Sequence, residues 1–224
     1  MKHRLFTLVE LLTVIAVIAI LAGIAVPVVV GMQSKGRETS ARADMNAIKM
    51  ALTQFKADYS VWPQGIYTSS QKDDVVKTVT VSGKSDESLI IVTPFSPAAS
   101  LQSSETVYDN ITEALTYNKV DSSTPDNPSA NYGNKKKRRY LDPPAKTVET
   151  KNPKTGYYKL DPWGRRYNIA LDWDYNGKIV FDSSNKFGGE SSAVLGQILI
   201  FSYGTAEAED DTEAFLYSWK TNAQ

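Results

Sequence analysis

The chain contains no cysteine. That excludes a disulfide framework, thiolate nucleophiles and cysteine-ligated metals, so apolar packing or a bound ion must hold the fold. Histidine is nearly as scarce. The one copy is His3, and nothing beyond it offers an imidazole for a Ser–His or Cys–His pair or for a metal. Charge of one sign is lacking too: 25 Lys and Arg balance 25 Asp and Glu, which gives no global attraction to nucleic acid or anionic lipid. There is no glycine-rich phosphate loop and no internal repeat. Carboxylate-only chemistry is the enzymatic route left open.

What is present is concentrated at the start. Behind the basic leader Met1-Lys-His-Arg-Leu5 runs an apolar stretch in which Leu11 to Val30 carries no charge and Thr13 is the sole hydroxyl. About 20 residues at a rise of about 1.5 Å suffice to cross a bilayer core of about 30 Å. Glu10 sits at its entrance, one helical turn after Phe6. A carboxylate at that depth is costly unless paired, which makes it a functional candidate. A secretory signal peptide, with Lys2, His3 and Arg4 as its basic region and a cut near Gly23-Ile24-Ala25, competes for the stretch; so do a plain signal anchor and a buried core helix. Glu10 interrupts the first, and the length argues against the last. Lys2 and Arg4 orient a span with the leader in the cytoplasm and the C-terminal bulk outside.

Phe6-Thr-Leu-Val-Glu10-Leu-Leu12, between a basic leader and an apolar helix with Pro27, resembles the N-terminus of type IV pilins and type II secretion pseudopilins. The resemblance implies a leader of residues 1–5, a transmembrane and assembly helix over 6–32, and a periplasmic domain over 33–224. It implies that a prepilin peptidase cuts between Leu5 and Phe6 and methylates the new amine. Leu5 stands where the family usually has Gly. It further implies that Glu10 pairs with the N-terminal amine of a neighbouring subunit, pinning register, and that the helix around Pro27 can unravel during assembly. A simple proline kink explains Pro27 equally well.

Beyond Pro27, Ala41, Met45, Ile48, Leu52, Phe55 and Tyr59 recur at spacings of four and three with charges between them, the pattern of one buried helical face. One helix is expected from about Phe6 to about Asp58, on the order of 80 Å long. Phe55-Lys-Ala-Asp58 followed by Trp62-Pro63 resembles the end of that helix in major pseudopilins. Residues 66–155 read as a variable elaboration. Val75–Val81 and Leu89–Val92 are strand candidates, Asp109–Tyr117 a short helix with Ile111, Ala114 and Leu115 on one face, and Ser122–Gly133 a loop. Lys135-Lys-Lys-Arg-Arg139 is a basic run, either a solvated loop flank or a contact for nucleic acid, lipid headgroups or an acidic surface.

The C-terminal part, 160–219, reads as a sheet. Asp161-Pro-Trp-Gly164 has the composition of a type I turn. Arg166–Leu171 alternates, Asn176-Gly177 signals a hairpin, Lys178–Phe181 returns, and Gln197–Tyr203 is a third strand. An antiparallel sheet of about three strands on the amphipathic half of the long helix gives an α+β, pilin-like fold. Asp161-Pro-Trp-Gly-Arg-Arg-Tyr167 and Ser202-Tyr-Gly204 with the acidic loop after it are similar to the major pseudopilin (G-type), which favours that branch over adhesive pilins with a C-terminal disulfide.

Two acidic clusters are candidate calcium sites. Asp172, Asp174 and Asn176 match the opening of an EF-hand loop, although a tight turn explains the same residues and Ser183 stands where the bidentate Glu belongs, with Asp182 beside it. In Glu207–Glu213, Asp210 and Asp211 align with the acidic pair of a loop that binds calcium in the resembled family, and Glu207 is the nearest substitute for its missing earlier Asp; a solvated acidic loop is the alternative. The reading that follows is a non-enzymatic structural subunit of a type II secretion pseudopilus in the inner membrane, single-pass, with its C-terminal domain in the periplasm. Its partners are other pseudopilins in the filament, the peptidase, the assembly platform with its ATPase, and lipid, with no nucleic acid. A type IV pilus or DNA-uptake pilin, supported by the basic run alone, and a signal-anchored carboxylate enzyme are the rivals.

Overall fold

The computed structural model describes residues 8–63, 88–91, 103–117, 133–142, 160–181, 193–208 and 211–220, without the side chains of residues 25–30, 103–106 and 109. The strand expected over 75–81 and the loop over 122–132 lie outside these residues. The chain divides into two compact units, Met1–Thr39 and Ser40–Gln224.

The first helix, α1, spans Leu8–Tyr59. It continues through Pro27, although a proline there leaves the Gly23 carbonyl without its usual amide donor. It ends where Ser60 turns left-handed (φ 61°) and returns its amide to the Lys56 carbonyl at 2.7 Å, a helix stop made without glycine.

In the second unit the remaining elements are β1 (Ser88–Ile91), α2 (Ser103–Thr116), β2 (Asn168–Asp172), β3 (Lys178–Val180), β4 (Ala193–Leu195), β5 (Ile198–Ser202) and β6 (Leu216–Tyr217). Four strands form one sheet in the order β1-β2-β5-β6, and β3-β4 form a second. Among the described residues the strand pairings are antiparallel, Ile169 opposing Ile91 on one side and Ile200 on the other.

The alternation of side chains along a strand divides the core. Leu89, Ile91, Ile169, Leu171, Ile198 and Ile200 face Ala41, Met45, Ile48, Leu52 and Phe55 of α1 and Val107, Ile111 and Leu115 of α2. Their neighbours Ile90, Ala170 and Leu199 face the other way, against Ile179 and Phe181. The small β3-β4 sheet thus covers the back of the main one, and β1, β2 and β5 are buried at every position. The helical face read from spacing is the buried face.

Three sequence expectations need correction. Asn176-Gly177 does not close a β2–β3 hairpin. β2 already has β1 on one edge and β5 on the other, so β3 has no edge to return to and passes into the second sheet with β4. The main sheet has four strands rather than about three: β1, from the region read as an elaboration, and β6, too short to show as a pattern, join it. α2 begins earlier than expected, at Ser103.

The region before β2 also supplies a polar joint. Buried Asn134 donates from Nδ2 to the Ala114 carbonyl (2.8 Å) and the Arg138 carbonyl (2.7 Å), while its Oδ1 accepts from the Tyr59 hydroxyl (2.9 Å) and the Arg138 amide (3.1 Å). One amide therefore ties the ends of α1 and α2 to the basic loop. Truncating it leaves several partners without a bond in a buried place, at about 1–3 kcal/mol each where water cannot replace it. Asn134→Ala is expected to lower the unfolding free energy by about 2–4 kcal/mol in denaturant titration, and a loss under about 0.5 kcal/mol, the usual range for a surface substitution, would show that the joint is not structural.

Candidate functional site

The N-terminal motif lies at the start of α1. Leu5 and Phe6 fall outside the described residues. Glu10 is exposed in the first turn, where the helix dipole favours a negative charge, and its carbonyl accepts from Thr13 Oγ1 at 3.0 Å. Every large apolar side chain from Leu8 to Ile24 is between 49% and 78% exposed. A helix apolar on all sides is built to be surrounded, and so large an apolar surface marks an interaction site. Among the described residues, no helix is long and apolar enough to cross a membrane. The run read from sequence reaches Val30, past Ile24, the last of these residues before the undescribed side chains of 25–30.

In the second unit the acidic positions separate into inward and outward groups. Asp161 is buried. Its Oδ1 accepts from the amides of Trp163 (3.0 Å) and Arg165 (2.8 Å), and its Oδ2 from Ser202 Oγ on β5 at 2.6 Å. The Gly164 amide meets the Asp161 carbonyl at 2.9 Å and Gly164 takes φ 85°, so the turn read from Asp-Pro-Trp-Gly is present, and its aspartate also locks the turn to the sheet. Burial pushes this carboxyl above the ordinary range, while the Ser202 hydroxyl, the two amides and the Arg165 charge oppose it.

Asp172, at the end of β2, is also buried. Its carboxylate accepts from the amides of Asn176 (3.0 Å) and Gly177 (2.9 Å). Asp174 Oδ2 accepts from Asn176 Nδ2 at 2.7 Å, and Asn176 Oδ1 from the Lys178 amide at 3.0 Å. The three residues read as a candidate calcium loop form a self-capped turn with its oxygens directed at amides. Asp182 and Ser183 lie outside the described residues.

The loop after β5 is different. Its neck is apolar: Phe201 stacks on Phe215 with centroids 6.2 Å apart, and Tyr203 meets Phe215 edge-on at 5.1 Å. Gly204 takes φ 57° and has no room for a Cβ, which would strike the Ala214 carbonyl. Beyond this neck Glu207, Asp211 and Glu213 are exposed, and Asp210 lies outside the described residues. The Ala206 carbonyl is taken by Arg165 Nη2 at 3.2 Å. Among the described residues, no group of three His, Cys, Asp or Glu side chains could hold a metal ion.

Sequence reasoning missed a cluster at the end of α1. The Asp58 carboxylate is gripped through both oxygens by Arg138 Nη1 (3.2 and 2.9 Å) and receives the Tyr140 hydroxyl at 2.7 Å. Lys136 Nζ lies 3.7 Å from it. The Tyr140 bond, then Arg138 and Lys136, hold Asp58 below the usual range against some desolvation. Two of the five cations of the basic run are thus spent inside the domain. Nearby, the Lys56 ammonium lies between the rings of Trp62 (4.3 Å) and Tyr175 (4.4 Å), which are parallel within 5°. The signals were Asp58 beside the helix end and the Tyr140 that follows the run, but their pairing is long-range and no local pattern reports it.

The fold is α+β, an N-terminal helix packed with a small antiparallel sheet, with an all-round apolar helix start and a closed acidic loop. No family model matches the chain, and no solved structure does. Among curated proteins it is 38% identical over 62 residues to the type II secretion system core protein G of Vibrio cholerae, covering 28% of this chain and 42% of that one. It is 36% identical over 58 residues to the protein of the same name from Pseudomonas aeruginosa (26% and 41%) and 37% identical over 62 residues to that of Escherichia coli (28% and 43%). The matches support placing the chain in the pseudopilin family, and the chain spans about two-fifths of the length of each relative.

The buried Asp161 gives a pH test. Its folded-state pKa lies above the unfolded value, so its contribution to stability is fully present below the unfolded pKa, about 3.9, and is lost as pH rises through the folded pKa. Asp161→Asn mimics the protonated form and removes that loss. Denaturant titrations from about pH 4 to about pH 7 should show the variant gaining on the parent as pH rises, and a difference that moves the opposite way would refute the burial account.

Proposed function

We propose that the chain is a structural, non-enzymatic subunit of a type II secretion pseudopilus, inserted once in the inner membrane with residues 33–224 in the periplasm. The observation that carries the reading is the contrast within α1. From Leu8 to Ile24 its apolar side chains are exposed on all sides, whereas Ala41, Met45, Ile48, Leu52 and Phe55 are fully packed. A helix with one half needing surroundings and the other bearing a domain suits a subunit that leaves lipid and enters a bundle of like helices. The relatives, each named as a core protein of a secretion system, support the same reading.

In this reading the leader is removed between Leu5 and Phe6 by a prepilin peptidase that methylates the new amine. The amine of an incoming subunit then pairs with Glu10 of its neighbour, because a charge pair inside an apolar bundle removes much of the penalty of a lone carboxylate. Pro27 loosens the helix on entry to the filament. The platform and its ATPase supply the work, and lipid surrounds the helix before assembly. The basic run gives less support to a DNA-uptake pilin than its length suggests, since Lys136 and Arg138 are committed to Asp58.

Processing and the role of Glu10 are tested together. Mass spectrometry of the membrane form should show a methylated Phe6 terminus, and an intact Met1 would remove the mechanism. Glu10→Ala should leave insertion and the folded domain unchanged, because the span becomes more apolar, yet abolish assembly. Secretion and filament yield at the parent level in that variant would show that Glu10 pins nothing.

Calcium belongs to this reading through the acidic loop. Asp210 and Asp211, with Glu207 and carbonyls near Ser202, are the proposed oxygen donors; what supports them is the acid density of the tip and the closed neck beneath it. Binding confined to the folded state raises stability with ion concentration. The protein should melt higher in calcium than in chelator, and Asp210→Ala with Asp211→Ala should erase the difference. Asp172→Ala should lower stability through its lost turn bonds while keeping the calcium increment. A melting temperature indifferent to calcium would dispose of the site.

A further inference from the structure

The second unit carries its opposite charges at opposite ends. At one end, Lys135, Lys137 and Arg139 are exposed, while Lys136 and Arg138 between them pair with Asp58 at the surface. The segment is a turn anchored to the domain through Asp58, which keeps the other three cations close together as one basic strip. Lys137 is held left-handed, φ 54°, and the Lys135 and Lys137 amides bond to the Gly133 and Asn134 carbonyls. The strip is a shaped part of the domain and not a loose flank.

At the other end stands the acidic loop, with Glu207, Asp211 and Glu213 exposed above its aromatic neck. Two sets of contacts place the ends along α1. Trp62 Nε1 donates to the Asp172 carbonyl at 2.8 Å, which puts the C-terminal end of β2 beside the end of α1, where the strip lies. Tyr167 Oη meets Asp44 Oδ2 at 3.2 Å, which puts the start of β2 further back on α1. Phe201 opposes Asn168 there, and the acidic loop leaves from that end of β5. Asp44 and Asp58 are about 21 Å apart along a helix, more than twice the screening length of about 8 Å at physiological salt. The strip and the loop of one molecule thus lie toward opposite ends of this stretch of α1.

We propose that the strip Lys135, Lys137 and Arg139 docks on the exposed Glu207, Asp211 and Glu213 of a second copy of this chain, as an axial contact between successive subunits. The run and the loop carry five cations and five anions in a chain of zero net charge. A patch that is complementary to a different patch on the same molecule forms a heterologous, head-to-tail contact, which builds an open filament rather than a closed dimer. Charges at exposed rims set partner choice and register more than raw affinity, so the contact selects which copies stack and leaves cohesion to the apolar helices. This rests on the filament reading and names a contact within it.

The absence of cysteine makes the test clean. Lys137→Cys and Asp211→Cys are combined in the full chain in its membrane, and disulfides are formed by mild oxidation. A bridge within one molecule leaves a monomer, so a head-to-tail contact is read as a ladder of multimers. Each single-cysteine variant should yield none. Reversing the strip (Lys135→Glu, Lys137→Glu, Arg139→Glu) or the loop (Glu207→Lys, Asp211→Lys, Glu213→Lys) in otherwise parental chains should cut assembled material by at least about tenfold, and mixing the two reversed chains should restore it. High salt should weaken the ladder. Filaments that assemble without the ladder, or reversed chains that assemble as well as the parent, would overturn the contact and leave the filament reading standing. A parent chain that forms no filament would end that reading, and the cross-link, which needs only two copies to meet, would still decide the contact. A strip reversal that abolishes binding to DNA or to anionic vesicles but leaves the ladder intact would assign the strip to another occupant and overturn the proposal.

Discussion

One face of α1, from Ala41 to Phe55, has to be kept from water, and the second unit is arranged to do that. Six of its side chains have essentially no exposure, and burying each contributes about 1.5–3 kcal/mol for the larger ones. No element of the chain's short strands could exist alone: β3 and β4 have three residues each and β6 two, and strands of that length hold only when a surface organises them. The helix is that surface. β2 lies along it, β1 and β5 flank β2, and the second sheet then covers the back, so that β2 is buried on both faces although it belongs to an antiparallel sheet.

The legible parts of the fold follow from that hierarchy. The α1 face could be read because helical period and burial agree over many residues, and the strand cores of β2, β3 and β5 because their apolar runs lie between turn residues. The hairpin expected at Asn176-Gly177 was not present because the turn signal is local while strand pairing is not. The dipeptide turned the chain as its chemistry requires, Asp172 capping the Asn176 and Gly177 amides, but the edge it would have paired with was already filled by β5. Likewise, nothing local announces that Asn134 reaches Ala114 and Tyr59, or that Arg138 grips Asp58 across about 80 positions of sequence. At the candidate site the reading of Glu10 rests on a contiguous motif in the sequence, whereas the pairing of Lys136 and Arg138 with Asp58 needed the fold.

The polar joints share a design. Asp58, Asn134, Asp161 and Asp172 each sit where two elements meet, and each accepts from several donors at once. Without disulfides, connections between elements must come from such points or from apolar packing, and a satisfied buried carboxylate or amide fixes geometry more than it adds energy. Their environments push in opposite directions. Tyr140, Arg138 and Lys136 hold Asp58 down, a contribution present above the unfolded pKa and lost as pH falls through the folded one; burial raises Asp161, with the opposite pH dependence. The domain therefore carries partly cancelling responses to acid.

The same accounting separates structural carboxylates from those available to a partner. A carboxylate that accepts amide hydrogens in a buried turn is held by them, and losing those bonds would cost about 1–3 kcal/mol for each amide left behind. Asp161 and Asp172 are in that position. Glu207, Asp211 and Glu213 are exposed beyond a neck closed by Gly204 and the Phe201–Phe215 stack, so neutralising them requires no bond in the core to break. Their mutual repulsion is relieved by a cation, by the cationic side chains of another molecule, or by both. A divalent ion would cancel two of the five charges and leave the tip acidic, so the proposed calcium and the proposed contact with a neighbour's basic strip would not exclude one another. The neck holds Gly204 and Phe215 together, which would lower the ordering cost of either contact.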